Sequence, residues 1–356
     1  MNPDYKTMYI GGESVQQSLI ARAFAARGWE VTMIVKDHGQ PDGEVIDGVR
    51  ILKAYRPDAG MPVLRFIHPK VTSINRCLVR ANADIYYHSC AGFITGLATN
   101  HCRRHGKRLV FRIAHDSDCI PGKQIIPTFR DRKIFEYGLR RADMIYAQSS
   151  TQMKLLRENY RLRSVFMPMA VELPETAESD TKDIDVLWVN NIRRFKRPEL
   201  FIELSKQLPS HRFVMIGGPI WGMETYYAKI ENEANRIDNL EFKGFVPYAS
   251  VNRYFARSKI FVNTSDSEGF PNSYLQAWIR GVPVISFFDP DRLITTQGLG
   301  AATRDLHEMR VMVEHLLNSV EARSKLSERV RKYALTNHIP GSVAKKYEES
   351  FFAMNQ

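Results

Sequence analysis

Residues 193–197, Arg-Arg-Phe-Lys-Arg, set four cations within five positions, directly before a Pro-Glu-Leu-Phe run that reads as the start of a helix. Free N–H groups already make a helix N-terminus positive, so cations are favoured at the other end. Four of them here ask for an anion, unless the segment is simply a solvated loop. A diphosphate would satisfy them, with guanidinium groups gripping its oxygens in pairs and an ammonium acting as a compact point charge. Farther along, SDSEGFPNSYLQAWIRGVPVI (265–285) carries Glu268-Gly269-Phe270-Pro271-Asn272 between a strand-like run and a helix-like one. Such a loop presents backbone N–H groups, a carboxylate and a helix N-terminus to one point. A carboxylate facing a diphosphate is unfavourable, so Glu268 fits better as an acceptor for neutral hydroxyls such as those of a sugar. A polyol joined to a phosphate leaving group accounts for both signs of charge.

Two weaker motifs lie in the first half. Gly11-Gly12-Glu13 precedes a helical run, where glycines let backbone N–H groups approach an anion. Glycine at such a turn also serves the backbone alone, so the pair by itself selects nothing. His115-Asp116-Ser117-Asp118 contains an Asp-x-Asp pattern of the kind that can hold a divalent cation beside a nucleotide sugar. With a basic cluster and helix N-termini available to neutralise a leaving group, Asp116 and Asp118 read instead as loop hydrogen-bonding residues, and no essential metal is expected.

The elements that must position these residues alternate in type. Strand candidates in the first half are EVTMIVK (30–36), VRILKA (49–54), DIYYHS (84–89), RLVFRIA (108–114) and DMIYAQS (143–149), with a helix from about Glu13 to Arg27. LPETAESDTKDID (173–185) is polar and acidic and reads as a connection. A second series follows, with strands DVLWVN (185–190), RFVMIG (212–217), LEFKG (240–244), KIFVNTS (259–265) and VPVISFF (282–288). Helices are expected near 197–208, 223–236, 247–257 and 272–280, and helical periodicity from Gly300 to the end, broken near Arg304, Ser319 and Pro340-Gly341. The expectation is an α/β chain with two Rossmann-like domains, 1–172 and 185–338, a linker at 173–184, and a ligand cleft between the domains beyond the carboxyl ends of their strands.

The 356 residues suit two cores, and 44% hydrophobic with 25% charged residues excludes wholesale disorder. No apolar run approaches the ~20 residues of a membrane span, and the N-terminus lacks a secretion pattern. Four cysteines (Cys77, Cys90, Cys102, Cys119) sit singly and read as reduced, mostly structural thiols of a cytoplasmic protein. The net charge of +11 is one-sided: residues 1–170 hold 26 Lys+Arg against 15 Asp+Glu, whereas 171–356 hold 24 of each. Eleven of the cations fall in 103–141 beside four acids. This asymmetry points to an anionic partner for the first half, although Lys and Arg also solvate helices. Nucleic acid is the rival partner, but no recognition helix, zinc pattern or RNA-binding aromatic motif accompanies the charge.

Taken together, VLWVNNIRRFKRPELFIELSKQLPSHRFVMIGGP and EGFPNSYLQAW, with IGGESVQQSLIARAFAARGWEVTMI more weakly, resemble glycosyltransferase family 4, retaining enzymes of the GT-B fold that use nucleotide-diphosphate sugars. The resemblance covers about two-thirds of the chain. It implies two Rossmann-like domains facing each other across a cleft, with a C-terminal helix (339–356) packing back on the first. It assigns Arg193 and Lys196 to the diphosphate, Glu268 to sugar hydroxyls, Gly269, Phe270, Pro271 and Asn272 to the sugar and its phosphate, and Gly12 to closing the site. His115 matches a position near the reaction centre, with a capping role as the alternative, and Phe245 and Val246 border the nucleotide base. Three departures stand out. Gln276 replaces a second glutamate eight positions after Glu268, so the ribose partner is neutral. Asn190-Asn191 replaces Gly-Arg, for which Arg193 supplies a cation, and only ten residues precede Gly11, few for a first strand and loop.

The implied activity is transfer of a sugar from a nucleotide-diphosphate sugar to a hydroxyl acceptor with retention, in cell-surface polysaccharide or glycoconjugate synthesis. The donor is a co-substrate and no cofactor is expected. The acceptor is expected to be anionic or lipid-linked, and the location cytoplasmic with peripheral attachment to the inner membrane face. Other GT-B sugar-nucleotide enzymes, epimerases or phosphorylases, and a catalytically weak sugar-nucleotide-binding protein are the alternatives.

Overall fold

The computed structural model describes residues 11–61, 66–174 and 181–354. YKTMYI (5–10), which reads as a possible first strand, and the middle of the 173–184 connection lie outside them. Two compact units divide the chain: Glu13–Met169 with Pro340–Gln356, and a second built on Ala170–Ile339.

In the first unit α1 (Gly12–Ala26) buries Val15, Leu19, Ile20, Ala23 and Phe24, the stripe that a 3.6-residue period puts on one side. Next, β1 (Val31–Val35), β2 (Val45–Ile46) and β3 (Val49–Lys53) form a sheet in the order β1-β3-β2. Asp47 and Gly48 join β2 to β3 with φ of 51° and 78°, a mirror-image turn whose twist suits a two-residue hairpin. After α2 (Thr72–Ala81) comes a parallel sheet in chain order, β4 (Ile85–Ser89), β5 (Arg108–Arg112), β6 (Met144–Ala147) and β7 (Val165–Phe166). Helices α3 (Phe93–His105), α4 (Phe129–Leu139) and α5 (Ser150–Tyr160) alternate with its strands. Backbones of α3 and α4 come very close: a Cβ on Gly138 would lie 2.7 Å from the Gly96 nitrogen. Only glycine at the crossing permits that approach.

The second unit is a single parallel sheet built from β8 (Ile184–Val189), β9 (Phe213–Ile216), β10 (Leu240–Phe242), β11 (Ser258–Asn263), β12 (Val284–Ser286) and β13 (Gly300–Ala302). Helices α6 (Pro198–Gln207), α7 (Glu224–Ala234), α8 (Tyr248–Ala256), α9 (Asn272–Ile279) and α10 (Leu293–Gln297) connect them. The strands β8, β9, β11 and β12 are almost wholly buried, as expected for Val/Ile-rich strands covered on both faces. Strand order is β10-β9-β8-β11-β12-β13, the 3-2-1-4-5-6 arrangement of a doubly wound dinucleotide fold. One expectation is corrected here: residues after Gly300 are not helical from the start, because β13 adds a sixth strand. Gly300, at φ +146°, lies so close to the Val284 carbonyl that a Cβ would collide with it. Then α11 (Leu306–Asn318) and α12 (Val320–Asn337) follow, and α13 (Pro340–Ala353) returns to the first unit. There Glu348 accepts from Arg27 Nε at 2.7 Å and Trp29 Nε1 at 2.8 Å, and Phe351 stacks on Phe24.

Candidate functional site

In a 3-2-1-4-5-6 sheet the chain leaves strands 1 and 4 in opposite directions, opening a crevice at their carboxyl ends. Here those strands are β8 and β11. Both chemistry-bearing motifs start there: Asn190 to Arg197 follows β8, and Thr264 to Asn272 follows β11. Hydrogen bonds tie the two loops together. Thr264 Oγ1 accepts from Trp188 Nε1 at 3.0 Å and donates to the Lys196 carbonyl at 2.7 Å, and Asp266 N donates to the Phe195 carbonyl at 2.9 Å.

Across this seam Lys196 and Glu268 form a short charge-assisted hydrogen bond, with each side chain 12% exposed. Ser265 Oγ donates to the same carboxylate oxygen at 2.8 Å. Behind it, Asn263 Oδ1 accepts from Ser265 N at 2.9 Å, and Asn263 Nδ2 donates to the Tyr274 hydroxyl at 3.2 Å. Burial lowers the Lys196 pKa; the Glu268 carboxylate opposes that shift and the neighbouring Arg193 reinforces it. Four uncompensated cations are therefore not what the structure holds. Lys196 is paired with Glu268, Arg197 bonds Asp266 at 3.1 Å, and Arg194 lies 4.7 Å from the Tyr226 ring centre. Arg193 differs, because its Nε is buried without a hydrogen-bond partner among the described residues, as is Nδ2 of Asn190. Two buried donors thus remain beside a lysine whose anion is a carboxylate, an arrangement able to receive phosphate oxygens.

The remaining donor-side residues surround this point. Pro271 precedes α9, and no side chain caps that helix among the described residues. The Phe270 ring turns inward, 6.4 Å from Trp278 and 6.1 Å from His338. Phe245 and Val246 follow β10 and are half-buried. Gln276 is buried in α9, where its Nε2 donates to Asn252 Oδ1 of α8 at 3.0 Å. Its amide is held by α8, not by the Lys196–Glu268 seam. Ser265, Asn263 and Tyr274 were not expected from the sequence. A Ser-x-x-Glu spacing at 265–268 was the available signal for the first.

The first unit gathers its own charged groups at the carboxyl end of β5. His115 begins a short turn (Asp116–Cys119), and its Nδ1 accepts from Ser117 N at 3.4 Å while its own N donates to Asp118 Oδ2 at 3.1 Å. The capping role is thus real. It also leaves the neutral imidazole its proton on Nε2. Asp116 accepts from Gln152 Nε2 of α5 at 3.0 Å, so Asp118 bonds within its own turn and Asp116 bonds across to α5. Gly12 is the exposed first residue of α1. Beside it Glu13, in the first turn of α1, reaches Arg112 Nη1 at 3.4 Å. Arg112 is completely buried, and its Nε and Nη2 have no hydrogen-bond partner among the described residues. A charge inside the apolar run Leu-Val-Phe-Arg-Ile was the sequence signal for this pair.

Asp118 carries a testable consequence. Burial pushes its pKa up to about 6, with backbone N–H groups of His115 and Ala114 opposing and the charges of Asp116 and Glu13 assisting. The folded value lies above that of the unfolded chain, so Asp118 supports folding only while protonated. That support disappears as pH rises from about 4 through about 6. Asp118→Asn is expected to remove on the order of 2 kcal/mol of this pH dependence, read as a flatter plot of denaturation midpoint against pH. An unchanged slope would refute the assignment.

Two Rossmann-like α/β units, the second with a cluster of charged side chains at its switch point, constitute the GT-B fold. The family described as Glycosyltransferase Family 4 matches residues 10–172, and that described as Glycosyl transferases group 1 matches residues 172–291. Between them the two matches span residues 10–291, and the chain is a glycosyltransferase of the family 4 type. It is similar to a component of the phosphatidylinositol N-acetylglucosaminyltransferase of Arabidopsis thaliana, 21% identical over 80% of this chain and 66% of that protein. It is also similar to the O-antigen biosynthesis glycosyltransferase WbnH of Escherichia coli, 24% identical over 40% of this chain and 41% of that one. These matches therefore span less than two thirds of the relatives' own lengths. Among solved structures, Anabaena HepE in complex with UDP and glucose superposes with a TM-score of 0.75, 12% identity and 98% coverage of both chains; that likeness concerns the fold.

Proposed function

We propose that this protein transfers a sugar from a nucleotide-diphosphate sugar to a hydroxyl acceptor, retaining the anomeric configuration, in the synthesis of a surface polysaccharide or glycoconjugate. The observation that carries the reading is the convergence of Lys196, Glu268 and the unpartnered Arg193 Nε on the β8–β11 switch point. Support for the donor class comes from HepE, whose structure holds UDP and glucose. The acceptor class draws on the two relatives, one named for phosphatidylinositol and the other for O-antigen.

In this account Arg193, Lys196 and the α9 N-terminus stabilise the charge that grows on the departing diphosphate. Glu268, released from Lys196 as the diphosphate arrives, accepts hydrogen bonds from the sugar hydroxyls. Gly269, Phe270, Pro271 and Asn272 offer backbone donors, Phe245 and Val246 border the base, and the Gln276 amide lies on the ribose side. His115 donates from Nε2 near the reaction centre and Gly12 closes over the phosphates. The bond between the anomeric carbon and the diphosphate oxygen breaks as the acceptor oxygen bonds to the same face. The acceptor proton passes to a leaving phosphate oxygen, so neither a protein nucleophile nor a metal takes part. The basic first half belongs with an anionic or lipid-linked acceptor at the inner membrane face.

A thermal-shift screen over uridine, guanosine and adenosine diphosphate sugars tests the reading, followed by NMR of the anomeric centre of any product. One base is expected to raise Tm selectively, since a ligand bound only by the folded state stabilises it by mass action. The product is expected to keep the donor's configuration. No shift from any donor would overturn the proposal, and an inverted product would overturn the retaining mechanism.

A further inference from the structure

Helix α4 is two-sided. Phe135, Gly138 and Leu139 are buried against the unit, whereas Phe129, Lys133 and Tyr137 lie on its solvent side, and Arg141, just past its end, continues the four-residue spacing and is exposed. Aromatic and basic groups stack in pairs along this stripe. Lys133 Nζ is 5.4 Å from the Phe129 ring centre and Arg141 Cζ is 4.3 Å from that of Tyr137. The stripe continues onto a neighbouring segment, since Arg130 Cζ sits 3.4 Å over the ring of Phe66. Apolar tips project at its margin: Ile67 is 61% exposed, Ile125 73% and Phe129 71%. The face's two acids, Asp131 and Glu136, are largely covered and bonded to Arg130 and Lys133, at 2.8 Å and 3.4 Å. What faces outward is cationic and apolar together.

We propose that this face docks the protein on an anionic lipid bilayer, with Ile67, Ile125 and Phe129 entering the headgroup boundary and Arg130, Lys133 and Arg141 pairing with lipid phosphates. Basic side chains whose aliphatic stems run along aromatic rings bring charge and apolar surface to one depth, the pattern of an interfacial helix. A nucleic acid would use the cations but gains nothing from exposed isoleucines. The proposal rests on reading the basic first half as the acceptor side, and it does not depend on the donor chemistry.

Flotation of the full chain with vesicles tests it, using phosphatidylcholine alone or mixed with one-third phosphatidylglycerol at physiological salt. The wild type is expected to float with the mixed vesicles only, and to retain part of that binding at high salt because of its apolar tips. Lys133→Gln with Arg141→Gln should lower partitioning about 25-fold, roughly fivefold for each cation lost near an anionic surface. Ile125→Ser with Phe129→Ser should lower it about tenfold, for partial burial of two apolar side chains. A matched change on α5, Lys154→Gln with Arg157→Gln, should leave it unaltered. The Tm shift given by a nucleotide sugar should persist in all three variants. Loss in the α5 variant equal to that in the α4 variant would overturn the docking face, as would a wild type that never floats. Tighter binding to single-stranded RNA than to mixed vesicles, weakened by the same cation variant, would replace the bilayer by nucleic acid. A wild type that shifts with donor but does not float defeats only the docking; one that floats without a donor shift defeats only the donor reading.

Discussion

Replacing Lys196 by Met is expected to lower kcat by about 10²–10³-fold with a smaller change in KM. That range is the usual cost of losing one preorganised donor to a developing oxyanion. The loss falls on kcat because the diphosphate gains most of its charge as the glycosidic bond breaks, so the lysine is worth more in the transition state than in the bound donor. A complication comes from the pairing with Glu268, since removing the cation leaves a mostly buried carboxylate without its partner. The double variant Lys196→Met with Glu268→Gln separates the two effects. It is expected to recover Tm relative to the single variant while staying inactive. Recovery of turnover in the double variant would mean that the pair is structural alone.

The same lysine sets a pH limit. Its pKa is lowered by burial, so in the folded protein the ammonium loses its proton at lower pH than in the unfolded chain. Deprotonation relieves a burial cost, so this group does not make the fold less stable as pH rises; activity goes the other way. A neutral amine cannot hold the diphosphate, and turnover is expected to fall on the alkaline side before the ordinary lysine range is reached.

The second large effect concerns Glu13. Burial keeps the Tyr87 and Tyr347 phenols protonated, leaving Glu13 as the anion opposite the fully buried Arg112. Glu13→Ala strands a buried guanidinium, which is expected to cost about 3–5 kcal/mol. Arg112→Met should cost less, because Glu13 keeps the favourable field of the α1 N-terminus. Chemical denaturation of the two variants checks the order. A larger loss for Arg112→Met would show that the arginine is held by something other than Glu13.

Most strands of both units could be read directly, since Val- and Ile-rich runs such as DVLWVN and KIFVNTS are what a doubly covered parallel sheet requires. The elements missed are short or at an edge: β2 and β7 have two residues each and β13 three, too few to show a period. The hairpin at 45–50 did carry a signal, an Asp-Gly pair between apolar residues. Site residues fared differently according to how local their chemistry is. Arg193, Lys196 and Glu268 stand out within short windows. Their meeting does not, because Lys196 and Glu268 are 72 residues apart and come together only through the strand order that makes β8 and β11 neighbours. The link from Asn263 to Tyr274 appears only once β11 and α9 are packed together, whereas the bond from Ser265 to Glu268 is local, three residues apart. Arg112 needed a partner 99 residues away to make sense of its charge.

The charge asymmetry gained an address by the same route. Part of the first half's excess lies where Lys133 of α4, and Arg141 just beyond its end, sit beside exposed aromatic rings. At the switch point of the second unit, Lys196 and Arg197 are committed to Glu268 and Asp266.

The central claim is that the β8–β11 switch point binds the diphosphate of a sugar nucleotide. Calorimetric titration of the nucleoside diphosphate and of the matching nucleoside, into the wild type and Lys196→Met, tests it most directly. The account expects the diphosphate to bind the wild type at least about a hundredfold more tightly than the nucleoside, an advantage of roughly 3 kcal/mol from charge-assisted contacts, and to lose most of that advantage in the variant. Equal affinity for the two ligands, or a diphosphate advantage untouched by Lys196→Met, would contradict it.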